Sequence, residues 1–246
     1  MDLQKLHIAI ELHDAERIRK ILSELENIEE GYEGKPWIEL LIAEYTRSPK
    51  FKECALAFVE CGDQIGDKFL EAVLTDNSTL LSEQLALEPE GVVREYTFSS
   101  AYTPFLEVSL MHLCAEFNHV ACAEVLIQQG LSIDTPAGLD SLGFGGQTPI
   151  FHTVNQNGNQ SWEMLDFCLK NQASLDIQLK GLIWGKDKPW ETFLPDVSPV
   201  SYAMMGLLPQ MHRNEKTVAE TVELLMKHKY GMEYKLPNIP NAYLKT

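Results

Sequence analysis

The chain has 246 residues, 45% of them hydrophobic, which is enough to bury a core in one large domain or a repeat array. Its formal net charge is −16, unevenly spread: residues 1–90 hold 20 acidic and 9 basic side chains, and residues 91–246 hold 16 and 11. Such a field repels nucleic acid and anionic lipid, so neither is expected as a direct partner. It serves solubility, or it receives a cationic protein on the N-terminal third.

The five cysteines, from Cys54 to Cys168, form no dense framework. The opening "MDLQKLHIAIELHDAERIRK" lacks a signal-peptide apolar run, and no stretch approaches ~18 uninterrupted apolar residues. A soluble, cytoplasmic, monomeric protein with reduced thiols is expected.

Taken in chain order, one plan recurs: a short apolar helix, a polar turn, a second helix and an extended exit. It spans residues 5–34, more loosely 35–66 and 67–92, then 109–134, 146–177 and 197–231, with long connectors over 91–108, 134–147 and 177–197. The fourth unit is the clearest. His112–Phe117 is its first helix, Asn118 and His119 its turn, and Val120–Gln129 its second helix, ended by Gly130 where a left-handed backbone is tolerated. In "TPIF" and "SPVS", Thr148 and Ser198 are placed to cap helices, and Pro149 and Pro199 follow at the first helical position, where no N–H is needed. Ser109 holds the corresponding place before Leu110.

These motifs resemble the ankyrin repeat family. Its consensus begins Thr-Pro-Leu-His, continues Leu-Ala-Ala to a Gly-His turn, and ends its second helix in Asn-Gly-Ala-Asp. "MHLCAEFNHVACAEVLIQQGLSID" follows it most closely; "TPIF" puts Phe151 where the histidine belongs, and "KNQASLD" has Gln172 for the terminal glycine. The resemblance implies an all-α repeat solenoid over nearly the whole chain. It also implies that His112 makes structural hydrogen bonds between units, and that partners dock on the concave face of first helices and connectors.

His112, Cys114, His119 and Cys122 fall within eleven residues, yet in such a unit they point in different directions. Zinc needs four ligands converging at ~2.0–2.3 Å, so no metal site is expected, and no cofactor. Nor does a helix N-terminus or cationic cluster activate either thiol. There is no Walker loop, H-E-x-x-H or G-x-S-x-G, and no carboxylate–histidine–nucleophile set stands out by spacing.

The connectors are unusual. Ser109 to Thr148 is 39 residues and Thr148 to Ser198 is 50, against ~33 for an ordinary unit. "VVREYTFSSAYTPFLEV" and "DIQLKGLIWGKDKPWETFLPDV" read as elongated β-hairpins, with "DTPAGLDSLGFGGQ" as a glycine-rich turn between them. Three aromatic fingers side by side are expected, either packed on one another or projecting to a partner. Tyr96, Phe98, Tyr102, Phe144, Trp184, Trp190 and Glu191 are the expected contacts, since Tyr and Trp supply contact area at low entropic cost. The function expected is non-enzymatic protein binding. The alternatives are an enzyme with its pocket in the finger-lined groove, or an inhibitor or immunity-type protein against a basic partner.

Overall fold

The computed structural model describes residues 3–205 and 214–235, apart from residues 27, 29, 30, 45, 64 and 101 and the side chain of residue 157. Part of the sixth unit, residues 206–213, lies outside the described residues.

Six helix pairs follow one another: α1 (Leu3–Glu11) with α2 (Ala15–Ser23), α3 (Ile38–Ala43) with α4 (Phe51–Glu60), and α5 (Lys68–Leu74) with α6 (Ser78–Leu87). Then come α7 (Leu110–Phe117) with α8 (Val120–Gln128), α9 (Phe151–Val154) with α10 (Trp162–Lys170), and α11 (Pro199–Met205) with α12 (Glu215–Tyr230). Short 3₁₀ turns lie at Pro89–Val93 and Asn157–Asn159. Helices this short are marginal alone, so their stability comes from stacking.

The turn inside a pair has a repeated chemistry. One residue turns left-handed: His13 (φ 49°), Asp76 (φ 48°) or Asn118 (φ 64°). The next caps the second helix or begins it: the Asp14 carboxylate accepts from Arg17 N–H, and the Asn77 side chain accepts from Leu80 N–H. Asn, Asp and His are the non-glycine residues most often found in this conformation. At the far end of α8, Gly130 (φ 87°) completes a Schellman motif, with Gly130 N–H bonded to Ile127 O and Leu131 N–H to Leu126 O.

Pairs pack in chain order: α1 on α3 and α2 on α4, then α5 on α7 and α6 on α8, α7 on α9 and α8 on α10, and α9 on α11. Between the second and third pairs the helix packing is thin, and side chains from the α3–α4 loop and the start of α4 reach instead to the end of α7. Phe51 stacks on Phe117 with centroids 3.7 Å apart, and Arg47 Nε bonds Glu116 Oε1 at 2.7 Å.

The first and third connectors are two-stranded antiparallel hairpins. β1 (Glu95–Phe98) pairs with β2 (Phe105–Ser109) across an irregularity between Tyr96 and Phe98, and β3 (Leu179–Trp184) pairs with β4 (Thr192–Val197) from Leu179–Val197 to Trp184–Thr192. The second connector is no strand pair; its one bridge joins Leu139 and Gly145. It fills the gap between the hairpins with main-chain bonds: Gly138 N–H to Leu106 O on β2, and Gly145 N–H to Gly181 O on β3. The result is a tied ridge, the packed one of the two arrangements left open for the connectors.

Candidate functional site

The ridge is anchored from beneath. Trp184 Nε1–H donates to Tyr202 Oη at 2.9 Å, and Tyr202 Oη shares a hydrogen bond with Thr103 Oγ1 at 2.8 Å. Tyr202 is wholly buried on α11, so one hydroxyl joins the tip region of the first hairpin, the second hairpin and a first helix. Tyr102 adds an edge-on contact to Trp184 at 5.4 Å. Trp184 is 4% exposed, which corrects its expected role: it is scaffold, because its indole N–H and ring are both consumed inside the protein.

The other expected contacts divide. Tyr96 is half-buried and its hydroxyl donates to Asp67, the cap of α5, which also takes Arg94 at 2.7 Å. Burial and the Asp67 charge push the Tyr96 phenol up. Burial opposes ionisation of Asp67, but Arg94, the capping N–H groups and Tyr96 outweigh it and hold its carboxyl below the usual range. Phe98 lies 6.1 Å from Tyr96 in a parallel stack, and Phe144 packs on Phe193 at 4.7 Å with the Lys180 ammonium over its ring. Trp190 remains 48% exposed, its ring covering Gly185, where a Cβ would come within 2.2 Å of it. Glu191 is exposed at the same tip, and its carboxylate accepts from Asp187 N–H. Phe193 (49% exposed), Leu139 (62%) and Leu142 (63%) also stand exposed on the connectors, and none of them is among the expected contacts. The signal available was alternation along β4, which places Phe193 opposite Ile183 and away from Leu194.

A cleft of about 390 Å³ opens between the two hairpins and the second connector. Phe98, Pro104, Phe105, Phe144 and Ile183 give it apolar walls, Gln147 closes it, and Lys186, Asp187 and Lys188 stand at its lip. The Asp140 carboxylate on its wall accepts from the Leu142 and Phe144 N–H groups and faces Lys186 at 3.5 Å, which together hold it below the usual carboxylate range.

The motif residues sit at the joints between units. Ser109 N–H donates to His112 Nδ1 at 3.1 Å, so His112 carries its proton on Nε2 and donates it to Gln147 O of the next unit at 2.9 Å. Burial holds this imidazole neutral, pushing its pKa down to about 3. His119 bonds Val73 O of the preceding unit, and Cys122 Sγ lies 3.6 Å from Ala72 O. The two histidines of that stretch thus face different neighbouring units, and among the described residues no group of three or more His, Cys, Asp and Glu is arranged to hold a metal. Burial raises the Cys54 and Cys168 thiols to about 12 and the Cys114 and Cys122 thiols as well, which favours the protonated form. Ser198 caps α11 by accepting from Ser201 N–H, and Pro199 begins that helix. Thr148 departs from expectation. A turn over 149–150 precedes α9, Pro149 lies in that turn ahead of the helix, and buried Thr148 Oγ1 has no partner among the described residues.

One constellation with catalytic geometry is present and was not legible by spacing. His152 Nδ1 meets Glu116 Oε2 at 2.8 Å, and Arg47 holds the other carboxylate oxygen. Burial opposes the Glu116 charge, but Arg47 and His152 outweigh it and keep the carboxyl below its ordinary range. His152 is 1% exposed, its ring stacks on Phe105, and its Nε2 is enclosed without a partner among the described residues. The pair therefore lies in the core joining three units, away from any surface a substrate reaches.

No family model matches the chain, and no curated protein does. Solved structures do match. The ankyrin repeat domain of Bcl-3, a unique member of the IkappaB protein family, is 14% identical, with 92% of this chain and 71% of that one covered at a TM-score of 0.39. EF0377, an ankyrin repeat protein, is 15% identical, with 92% and 98% covered at 0.39. The chain resembles ankyrin repeat proteins. The ankyrin-like architecture is carried by its own geometry: six stacked helix pairs, left-handed turns within pairs, and the His112 bridge to the next unit. No described helix is long and apolar enough to cross a membrane.

Proposed function

We propose that the chain is a non-enzymatic protein-binding module whose contact surface is the ridge of connectors. The observation that carries this is the set of exposed apolar side chains Leu139, Leu142, Trp190 and Phe193 on a ridge whose interior is locked by Trp184, Tyr202 and Thr103. Scattered exposed apolar residues are ordinary, but a set gathered on rigid supports offers contact area without an ordering cost. Trp190 and Phe193, with Tyr102 beneath, are the anchors, and Glu191 lies at the rim; the concave side of the first helices extends the surface. The acidity of the chain favours a basic partner, as an inhibitor or immunity-type protein would meet.

Affinity capture with the purified chain, followed by titration of the recovered protein against Trp190→Ala and Phe193→Ala, tests this. The expected loss is at least ~30-fold in affinity, about 2 kcal/mol for a hot-spot aromatic. Association with a basic partner should slow as salt rises, because screening acts over ~8 Å at physiological ionic strength. Unchanged affinity in both variants would move the contact surface elsewhere.

A further inference from the structure

We infer that the cleft between the two hairpins is a peptide-binding groove that seats one bulky apolar side chain of the partner, flanked by lysine or arginine. This rests on the connector ridge being the partner surface and adds which side chain enters and what surrounds it.

Two independent observations carry it. The first is the shape and lining of the groove. Its volume of about 390 Å³ exceeds a single aromatic side chain, and Phe98, Phe105, Phe144 and Ile183 supply apolar contacts from all three connectors. Its charged wall is occupied, with Asp140 held by two N–H groups and Lys186; Gln147 Nε2 donates to Pro104 O at 2.7 Å, while its buried Oε1 has no partner among the described residues. An apolar group therefore enters without stranding a charge.

The second is charge. Glu95, Glu107, Asp187, Glu191 and Asp196 stand exposed on the connectors, and none forms an ion pair among the described residues. The basic side chains there are mostly committed: Arg94 to Asp67 and Glu88, Lys186 to Asp140, and Lys180 to Leu142 O and the Phe144 ring. Lys188 at the lip is the exception. The groove is close to neutral and its surround is acidic, so apolar affinity comes from the anchor and orientation from cationic flanks.

Selection of a displayed library of random dodecapeptides on the full chain tests this, followed by calorimetry with the enriched peptide made synthetically. The enriched sequences should share one Phe, Trp, Leu or Met within three positions of at least two Lys or Arg. Replacing that anchor by alanine, or the flanking cations by glutamate, should weaken binding at least tenfold. Ile183→Arg places a charged side chain in the groove, and Ser99→Trp fills it from an exposed position outside the core; each should weaken binding at least tenfold while the helical circular dichroism is kept. Absence of enrichment, an acidic consensus, or undiminished binding to folded Ser99→Trp overturns the groove. Should the peptide or a captured partner lose affinity on Trp190→Ala and Phe193→Ala but not on Ser99→Trp, the ridge stands as the contact surface and the groove falls. Should neither set matter, both fall.

Discussion

The first three helix pairs and the last three solve the same stacking problem with different connections. From α1 to α6 the joints are short and the surface is strongly acidic, and helix packing thins between α4 and α5. From α7 to α11 the pairs pack continuously, and the hairpins that lead into α7 and α11 are tied through the second connector and to Tyr202 on α11. The extra chain does not lengthen the stack. It forms a second layer with its own buried contacts, so the hairpin half gains rigidity where the N-terminal half has little beyond its helices.

The sharpest break of that contrast is Trp184→Ala. Removing a ring that is 4% exposed and hydrogen-bonded to Tyr202 should cost about 3–5 kcal/mol in denaturant unfolding. A cost below about 1 kcal/mol would mean that the hairpins rest on the stack without being locked to it. Arg47→Ala probes the thin joint. It leaves Glu116, a carboxylate buried between units, with only His152, and should destabilise by about 3 kcal/mol. Hydrogen exchange should already be faster over residues 35–92 than over 111–177 in the unaltered protein, and Arg47→Ala should widen that gap. Uniform protection would show that the two halves unfold as one.

Acid should weaken the stack in both halves, because buried histidines lie at the joints of each. The folded pKa of His112 is about 3, below its unfolded value near 6.5. Between those values the unfolded chain binds a proton that the folded chain refuses, so stability falls as pH drops, by up to about 1.4 kcal/mol per pH unit from this group. His13, pushed down to about 4 by burial and the Arg47 and Lys50 charges, adds a loss of the same sign. Glu116 and Asp67, held below their ordinary range, contribute stability that is present above the unfolded carboxylate pKa and is lost at the lower end of the same descent. His112→Gln, which cannot titrate, should flatten the slope between pH 6 and 4; an unchanged slope would remove His112 as its source.

The stack was legible in the sequence because its signals are local. Apolar spacing, Gly130 past a helix end and "SPVS" before another each fix a helix boundary by chemistry within a few residues. The hairpins were legible as alternation. Their mutual tie was not, since it depends on Gly138 and Gly145 meeting β2 and β3 through main-chain atoms that carry no side-chain signature. Thr148 shows the limit of a local rule: the cap pattern is present, yet the chain turns first and starts α9 only at Phe151. Trp184 and Trp190 lie six residues apart in one aromatic run, and only the Tyr202 hydroxyl, reached from another unit, decides which of them is buried.

That last pair supplies the smallest expected effect on stability and the finest test of the two-layer structure. Trp190 is 48% exposed and rests on Gly185 and near Tyr102. Its replacement by alanine should therefore change unfolding free energy by no more than about 1 kcal/mol, several times less than Trp184→Ala on the same hairpin. Emission should separate them as well: partner binding should shift the fluorescence of the Trp184→Phe protein, which keeps Trp190, and the shift should shrink in Trp190→Phe. Trp37 is buried and Trp162 half-exposed away from the ridge, so both serve as a constant background. Equal destabilisation by Trp184→Ala and Trp190→Ala would show that the outer tryptophan also belongs to the scaffold, leaving Phe193, Leu139 and Leu142 as the surface to which a partner must bind.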